Sequence, residues 1–281
     1  MKLNITCTIV VFVFAFKLNA QFFESDFAVY NPAMSGLVDK HYGIIKYEQD
    51  FFDNSFFHTS YHLDIGKINS GVGLVFNSTN HNFYKSNQLN GNYRYSISLT
   101  DSVDISVGSI LSYREALFDS LFFSGTSGFF SQSYKTISVG LGTVIEWREL
   151  SAGISARNLN RPIFLPGGNR SSLSWSIHAW YDSQVTENFK LSPSWILNLN
   201  NNYESHAMML RFEHYNRFWY ALGVNVNKGL INYGYSVQYV GGIGIRVVDQ
   251  FHLTIQSGFV LFRDNSGIKD LGVGLVYRLQ K

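Results

Sequence analysis

The stretch Leu89-Asn90-Gly91-Asn92-Tyr93-Arg94-Tyr95-Ser96-Ile97-Ser98-Leu99 decides the fold. Asn90, Asn92, Arg94, Ser96 and Ser98 alternate with Leu89, Gly91, Tyr93, Tyr95, Ile97 and Leu99, the two-residue period of a strand whose faces meet different surroundings. A β-sandwich turns its apolar face inward and solvates the other with many charges. A membrane barrel reverses the sides and lines a lumen with neutral polar groups. The polar face here carries Asn and Ser with a single Arg, which favours the barrel.

Outward from this stretch the pattern recurs. His58, Ser60, His62 and Asp64 interleave with Phe57, Thr59, Tyr61, Leu63 and Ile65. Apolar sets at every second position are Leu173, Trp175, Ile177, Ala179 and Tyr181; Phe218, Tyr220, Leu222, Val224 and Val226; and Leu271, Val273, Leu275, Tyr277 and Leu279. The alternating segments are 41–50, 56–66, 70–79, 88–99, 103–114, 135–148, 149–158, 172–183, 187–199, 204–214, 217–227, 235–248, 251–262 and 269–280. About fourteen strands, an even number, are the expectation for an antiparallel transmembrane barrel. Short connections near residues 67–69, 100–102, 147–149, 184–186, 215–216 and 249–250 alternate with others that include the long stretches 116–134 and 159–171. Short periplasmic turns and long extracellular loops have this layout. Aromatic residues near strand ends, Tyr42, Phe51, Trp147, Trp180, Trp195, Trp219 and Tyr239, are candidates for interfacial girdles. Pro193, inside a predicted strand, predicts a bulge or a broken ladder.

Composition agrees. The 281 residues are 16% aromatic and 15% charged, with a mean hydropathy of −0.02. Globular domains carry about 25% charged residues, and disordered chains are poor in aromatics. Beyond the first twenty residues no apolar run reaches the ~18 residues of a membrane helix.

Residues 1–20 combine Lys2, the apolar run from Ile9 to Phe16 and a small residue, Ala20, before Gln21. This is the layout of a secretory signal peptide cleaved near Ala20/Gln21. Its removal takes Lys2 and Lys17, so the remaining 20 basic residues face 20 acidic ones. A neutral chain lacks the basic footprint of a nucleic-acid binder. The single cysteine, Cys7, leaves as well, and with it any disulfide or thiolate chemistry. The expected organisation is a signal peptide (1–20), a periplasmic lead-in with an Asn-Pro-Ala turn (21–40) and an outer-membrane barrel (41–281).

Residues 21–36 read QFFESDFAVYNPAMSG, and with a signal peptide before and strands after, the chain resembles the PorP/SprF family. The matching positions are Phe27, Tyr30, Asn31, Pro32, Ala33 and Gly36. Gly153-Ile154-Ser155-Ala156-Arg157-Asn158-Leu159 is similar to the family's G-x-S-x-x-N-L stretch, and Arg217-Phe218-Trp219 to its RFW strand start. In one departure Tyr47 is followed by Glu48, where the family tends to carry Arg. The resemblance implies an outer-membrane protein of type IX secretion and gliding in Bacteroidetes-type bacteria. Its implied partners are a secreted cargo protein with a type IX C-terminal signal and periplasmic peptidoglycan-associated components, besides outer-membrane lipid. Independently of the family, Asn31-Pro32 initiates a turn and Gly36 accepts positive φ. Such a turn either plugs the periplasmic mouth or is a plain lead-in.

Catalysis finds no support in the sequence. His58 and His62 lie four residues apart on a strand, roughly 14 Å by the strand rise, too far for one metal. Gly125–Gly128 lacks the spacing of a nucleophile elbow, and Gly71/Gly73, Gly140/Gly142 and Gly272/Gly274 fall in strands rather than phosphate loops. Small residues there let strands bend or lumen groups pack. No catalytic residue, metal or cofactor is expected. The expected function is a non-enzymatic barrel acting as a cargo-associated partner or surface anchor. Phe122, Phe123, Phe129, Phe130, Ile163 and Phe164 in the long loops are the candidate partner contacts. The alternative is a small-solute outer-membrane channel.

Overall fold

The computed structural model describes residues 27–37, 40–50, 54–81, 84–118, 132–163, 170–201, 203–215, 217–229, 235–248, 250–261 and 266–279. A short helix α1 (Phe27–Tyr30) and a 3-10 turn (Pro32–Met34) precede fifteen strands. These are β1 (His41–Asp50), β2 (Ser55–Ile65), β3 (Ser70–His81), β4 (Tyr84–Thr100), β5 (Val103–Phe118), β6 (Gln132–Trp147), β7 (Leu150–Arg157) and β8 (Ser174–Tyr181), then β9 (Ser183–Thr186), β10 (Phe189–Asn200), β11 (Tyr203–His214), β12 (Phe218–Gly229), β13 (Tyr235–Val248), β14 (Phe251–Leu261) and β15 (Ser266–Leu279).

Apart from β8 and β9, which do not pair with each other, successive strands pair antiparallel, and β1 pairs with β15 over its full length, from His41↔Leu279 to Asp50↔Asp270. The sheet therefore closes on itself and leaves no free end strand. Strands β8 and β9 both lie on β10 in one continuous register, Ser194↔Trp180 and Leu191↔Ser183. They form one stave, and the barrel has fourteen. The interruption at Asp182 lies beside Pro193, which places a residue without an N–H in the facing strand. The reversal expected at residues 184–186 instead falls at Glu187–Asn188, because Ser183–Thr186 continue the stave as β9.

The faces are inverted relative to a soluble protein. Leu74, Leu89, Tyr93, Ile97, Leu111 and Ile137 on the outer wall are exposed, whereas His58, Ser60, His62, Asn90, Asn92 and Arg94 on the inward face are buried. Lipid satisfies the first set and the hydrogen-bonding interior the second. No helix among the described residues is long and apolar enough to cross a membrane.

The aromatic expectations divide. Trp147 and Tyr239 are exposed on the outer wall, and Trp195 faces the same way. Trp219 is 1% exposed and faces the lumen with Arg211 stacked 4.9 Å over its ring. Trp180 also turns inward, stacked on Phe27, and Tyr42 shares the inward face of β1 with buried Ile44 and Lys46. Parity is the reason: Phe218, Tyr220 and Leu222 take the outward positions of β12, so Trp219 between them cannot. At the short-turn rim the outer wall instead carries an aromatic cluster of Phe189, Phe212 and Tyr220, with Phe212 and Tyr220 stacked at 4.7 Å. Phe51 lies outside the described residues.

The connections also refine the expectation. At one rim they are uniformly short, helped by left-handed residues at Asn69 (φ 51), Arg148 (φ 53) and Tyr215 (φ 52). At the other rim the loop expected at 116–134 is trimmed to 119–131, because β5 runs to Phe118 and β6 starts at Gln132. Ala116 is a fully buried wall residue rather than a loop residue.

Candidate functional site

The lumen is occupied by the chain's own N-terminal segment. Phe27–Tyr30 make one helical turn, and Asn31 then caps the following 3-10 turn, its side-chain Oδ1 accepting from the Ala33 N–H at 3.0 Å with Pro32 at the first turn position. Asn is a favoured cap and Pro suits that position because its missing N–H has no intrahelical partner to lose. Gly36 adopts φ +67, and a methyl carbon placed on it would fall 2.6 Å from the Leu63 carbonyl oxygen. Both the conformation and the space demand glycine.

The segment is fastened to three staves by polar contacts. Asn31 Nδ2 donates to Thr143 O on β6 (2.9 Å) and Ile154 O on β7 (3.3 Å). Ser155 Oγ donates to Tyr30 O at 2.5 Å, and Asn92 Nδ2 donates to Ala28 O at 3.2 Å from β4. Ala28, Ala33 and Met34 pack with Val144, Phe27, Leu37 and Trp180, and Tyr30 and Phe27 reach Ile196 and Ala207. The lumen wall is thus apolar where the segment docks, as it also is at the cluster of Trp219, Ala221 and Val240. His178, fully buried, lies 5.9 Å from the Phe27 ring and 5.6 Å from Trp180.

Glycines make the wall fit. A methyl carbon on Gly108 would fall 2.6 Å from Ala33 Cα, and one on Gly142 would fall 2.9 Å from Asn31 Cγ and 3.0 Å from Pro32 Cδ. One on Gly153 would fall 2.8 Å from Asn31 Nδ2, and one on Gly73 2.9 Å from Ser35 Oγ. Gly71 likewise abuts the Ser35 carbonyl. Five wall positions on β3, β5, β6 and β7 therefore lack side chains where the segment passes.

Nearby the lumen is held by paired charge. Arg94 Nη2 meets Asp64 Oδ1 at 2.6 Å and Lys46 Nζ meets Glu48 Oε1 at 2.9 Å, all four side chains largely buried. Glu48, which stands where the family tends to carry Arg, is thus the partner of a lysine two residues away on the same inward face. His58 bonds Asn77 Oδ1 through Nδ1 at 2.7 Å. Among the described residues no group of three His, Cys, Asp or Glu is placed to hold a metal.

The structure brings Phe27, Tyr30, Asn31, Pro32, Ala33 and Gly36 together in the lumen. Phe122, Phe123, Phe129, Phe130 and Phe164 lie outside the described residues, and Ile163, 56% exposed, pairs with Arg170 in the loop after β7. Sequence reasoning missed Gly108 and Gly153 as contacts of the turn, and missed the inward placement of Trp180. The signal for Trp180 was present, since Ala179 and Tyr181 occupy the outward positions on either side.

A family model for the type IX secretion system membrane protein PorP/SprF matches residues 18–277. No curated protein matches. Among solved structures the chain is similar to the CymD monoaromatic hydrocarbon channel, at 8% identity and a TM-score of 0.60 over 94% of this chain and 95% of that one. It is also similar to the Acinetobacter baumannii outer membrane protein Omp33, at 10% identity and 0.57 over 87% and 100%. A Pseudomonas aeruginosa FadL homologue aligns at 10% identity and 0.57 over 90% and 94%. At such identities the likeness is one of fold.

Proposed function

Because this chain belongs to the PorP/SprF family of type IX secretion membrane proteins and folds as an outer-membrane barrel, we propose that it is a non-enzymatic partner or surface anchor for a secreted cargo protein. The observation that carries this reading is the segment docked inside the lumen. A segment fixed by hydrogen bonds to β4, β6 and β7 and seated on glycines suits a barrel that receives a protein at its rim better than one that passes solutes. In this reading residues 21–40 follow a cleaved signal peptide and lead in from the periplasmic mouth, with the turn at Asn31–Gly36 docked in the lumen. The short turns face periplasmic, peptidoglycan-associated components, and the loops 119–131 and 158–173 meet cargo bearing a type IX C-terminal signal. Deletion of the gene is expected to reduce surface retention of such cargo, measured by protease shaving and quantitation. Unchanged retention would refute the reading.

A second reading, a small-solute channel, is favoured by the neutral polar lining of Asn90, Asn92, Ser60 and Ser112. Planar-bilayer recordings separate the two. The anchor reading expects no steady conductance from the wild-type barrel, and the channel reading expects a stable one.

A further inference from the structure

We propose that the upper edge of β6, at the long-loop rim, is a strand-addition site for an extended segment of the cargo protein. This deepens the anchor reading and rests on it. The wall is uneven: β4 has 17 residues and β5 and β6 have 16 each, but β7 has only 8, and at the long-loop rim the β8–β9 stave ends level with it, Ser174 pairing with Arg157. A membrane-spanning strand needs about 9–11 residues, so the first three rise well above the low pair beside them. Strand β7 pairs with β6 only from Leu141↔Ala156 to Trp147↔Leu150. Among the described strands, residues 132–140 of β6 pair with β5 alone, from Gly140↔Ile110 to Gln132↔Phe118.

The chain itself stops β7. Asn158 (φ 58) turns it into the left-handed region, Arg161 (φ 45) does so again, and Pro162 brings no donor. Between those two turns the chain imitates a strand for one step. The Leu159 N–H donates to Val139 O at 3.0 Å, Asn160 Oδ1 accepts from the Val139 N–H at 3.2 Å, and Asn160 Nδ2 donates to Ile137 O at 2.9 Å. These contacts fix which groups face the open side: those of odd-numbered residues, since backbone groups alternate between the two neighbours of a strand. Above Asn160 the open-side groups of Ser133 and Lys135, and the Ile137 N–H, have no ladder partner among the described residues. Even-numbered residues point to β5.

An edge of this kind is a template for another strand, and proteins that do not use one cover it or blunt it. Here the outward face beside it remains apolar and open, with Ile137 58% and Val139 39% exposed. A cleft of about 480 Å³ lined by Leu159, Leu173, Trp175 and Leu199 adjoins it across the loop after β7. Main-chain pairing to Ser133 and Lys135 with apolar side chains on Ile137 and Leu159 would take an extended, alternately apolar segment, and would tolerate variation in its sequence.

The test uses the full-length protein in a deletion strain of its own host, complemented with wild type, Ser133→Pro/Lys135→Pro or Ser133→Ala/Lys135→Ala. Proline removes only the open-side N–H groups and is tolerated at such edges, while the donors to β5 remain. The alanine variant loses the same side-chain contacts to Glu115 but keeps both N–H groups. Barrel assembly is checked by heat-modifiable mobility. The proline variant is expected to lower surface-retained cargo by about tenfold or more, toward the deletion level, because each lost backbone bond weakens binding severalfold. The alanine variant should match wild type. If the deletion strain loses cargo while the proline variant retains it, the edge assignment falls and the anchor reading stands. If the deletion strain loses none, both fall.

Discussion

Replacing Gly142 by valine drives side-chain atoms into the space that Asn31 and Pro32 occupy. The new Cβ would abut Asn31 Oδ1 and lie 2.9 Å from Asn31 Cγ and 3.0 Å from Pro32 Cδ. Retreat is blocked, because Pro32 is buried and Asn31 is held between Thr143 O and Ile154 O on two staves. Overpacking of this kind costs about 1–3 kcal/mol, and displacing Asn31 from Thr143 O forfeits another ~0.5–1.5 kcal/mol. Together, roughly 1.5–4.5 kcal/mol shifts docking of the segment by about tenfold to a thousandfold or more, at 1.4 kcal/mol per tenfold. The barrel should survive, since Gly142 pairs with Gly108 and Ser155 through backbone that valine retains and valine is a better strand former. Ser35→Cys, near-isosteric at a fully buried position, supplies the reporter, and the only native cysteine is Cys7. A membrane-impermeant maleimide should leave the introduced thiol unmodified in the parent and label it at least about tenfold faster with Gly142→Val, as that shift requires. Gly91→Val, on the outer wall where an added Cβ meets nothing within 4 Å, is the control. Equal protection of the thiol in all three proteins would refute the argument that the glycine wall seats the segment.

Asn31→Ala removes a cap and two cross-strand donors, about 1.5–4.5 kcal/mol at ~0.5–1.5 each, and should expose the position-35 thiol in the same labelling assay. Asn31→Asp keeps the cap but aims a carboxylate at two carbonyls, so it should not rescue. Arg94→Met strands the Asp64 carboxylate in the lumen and should destabilise the barrel by about 3–5 kcal/mol, less in Arg94→Met/Asp64→Leu, as read from the temperature of heat-modifiable mobility. Single-tryptophan proteins in brominated lipid should show quenching for Trp147, Trp175 and Trp195 and protection for Trp180 and Trp219. Quenching of Trp219 would mean that β12 is turned by one residue from the register described.

The alternation of residues 89–99 was sufficient for the fold because a transmembrane strand must satisfy two solvents at once, and each residue is sorted by parity alone. The same parity carried the inward placement of His58, His62 and Arg94. It also contained the answer for Trp180 and Trp219, but residue type suggested an interfacial girdle and position in the alternation was the stronger determinant. Pro193 signalled a broken ladder, and the gap between β8 and β9 lies beside it. The turn at Asn31–Gly36 was legible locally, from a cap residue, a fixed φ and a glycine. Its docking site was not, because Gly108, Gly142 and Gly153 are spread over 46 residues of chain and become one surface only after β5, β6 and β7 pair. The height of β7 was likewise hidden: the segment ending at 158 gave no sign that β6 would run on without it.

Glycine weakens a strand by roughly 0.5–1 kcal/mol relative to a residue with a side chain. Five such positions at one level of the barrel are therefore a standing cost to the wall. An open channel could use the width they create only if the space beside them stayed empty, but Pro32, Ala33 and the Asn31 side chain occupy it, and the neighbouring wall residues Val144 and Ile196 are apolar and buried against the segment. An apolar patch facing water would be unfavourable at about 25 cal/mol per Å², and glycines facing water would add flexibility without compensation. Gly108 and Gly142, whose nearest contacts are Ala33 and Asn31, and the apolar surface of Val144 both make physical sense with the segment in place. The docking of the segment is written into the wall as well as into the turn, which is why a wall mutation, Gly142→Val, tests it as directly as any change to the segment itself.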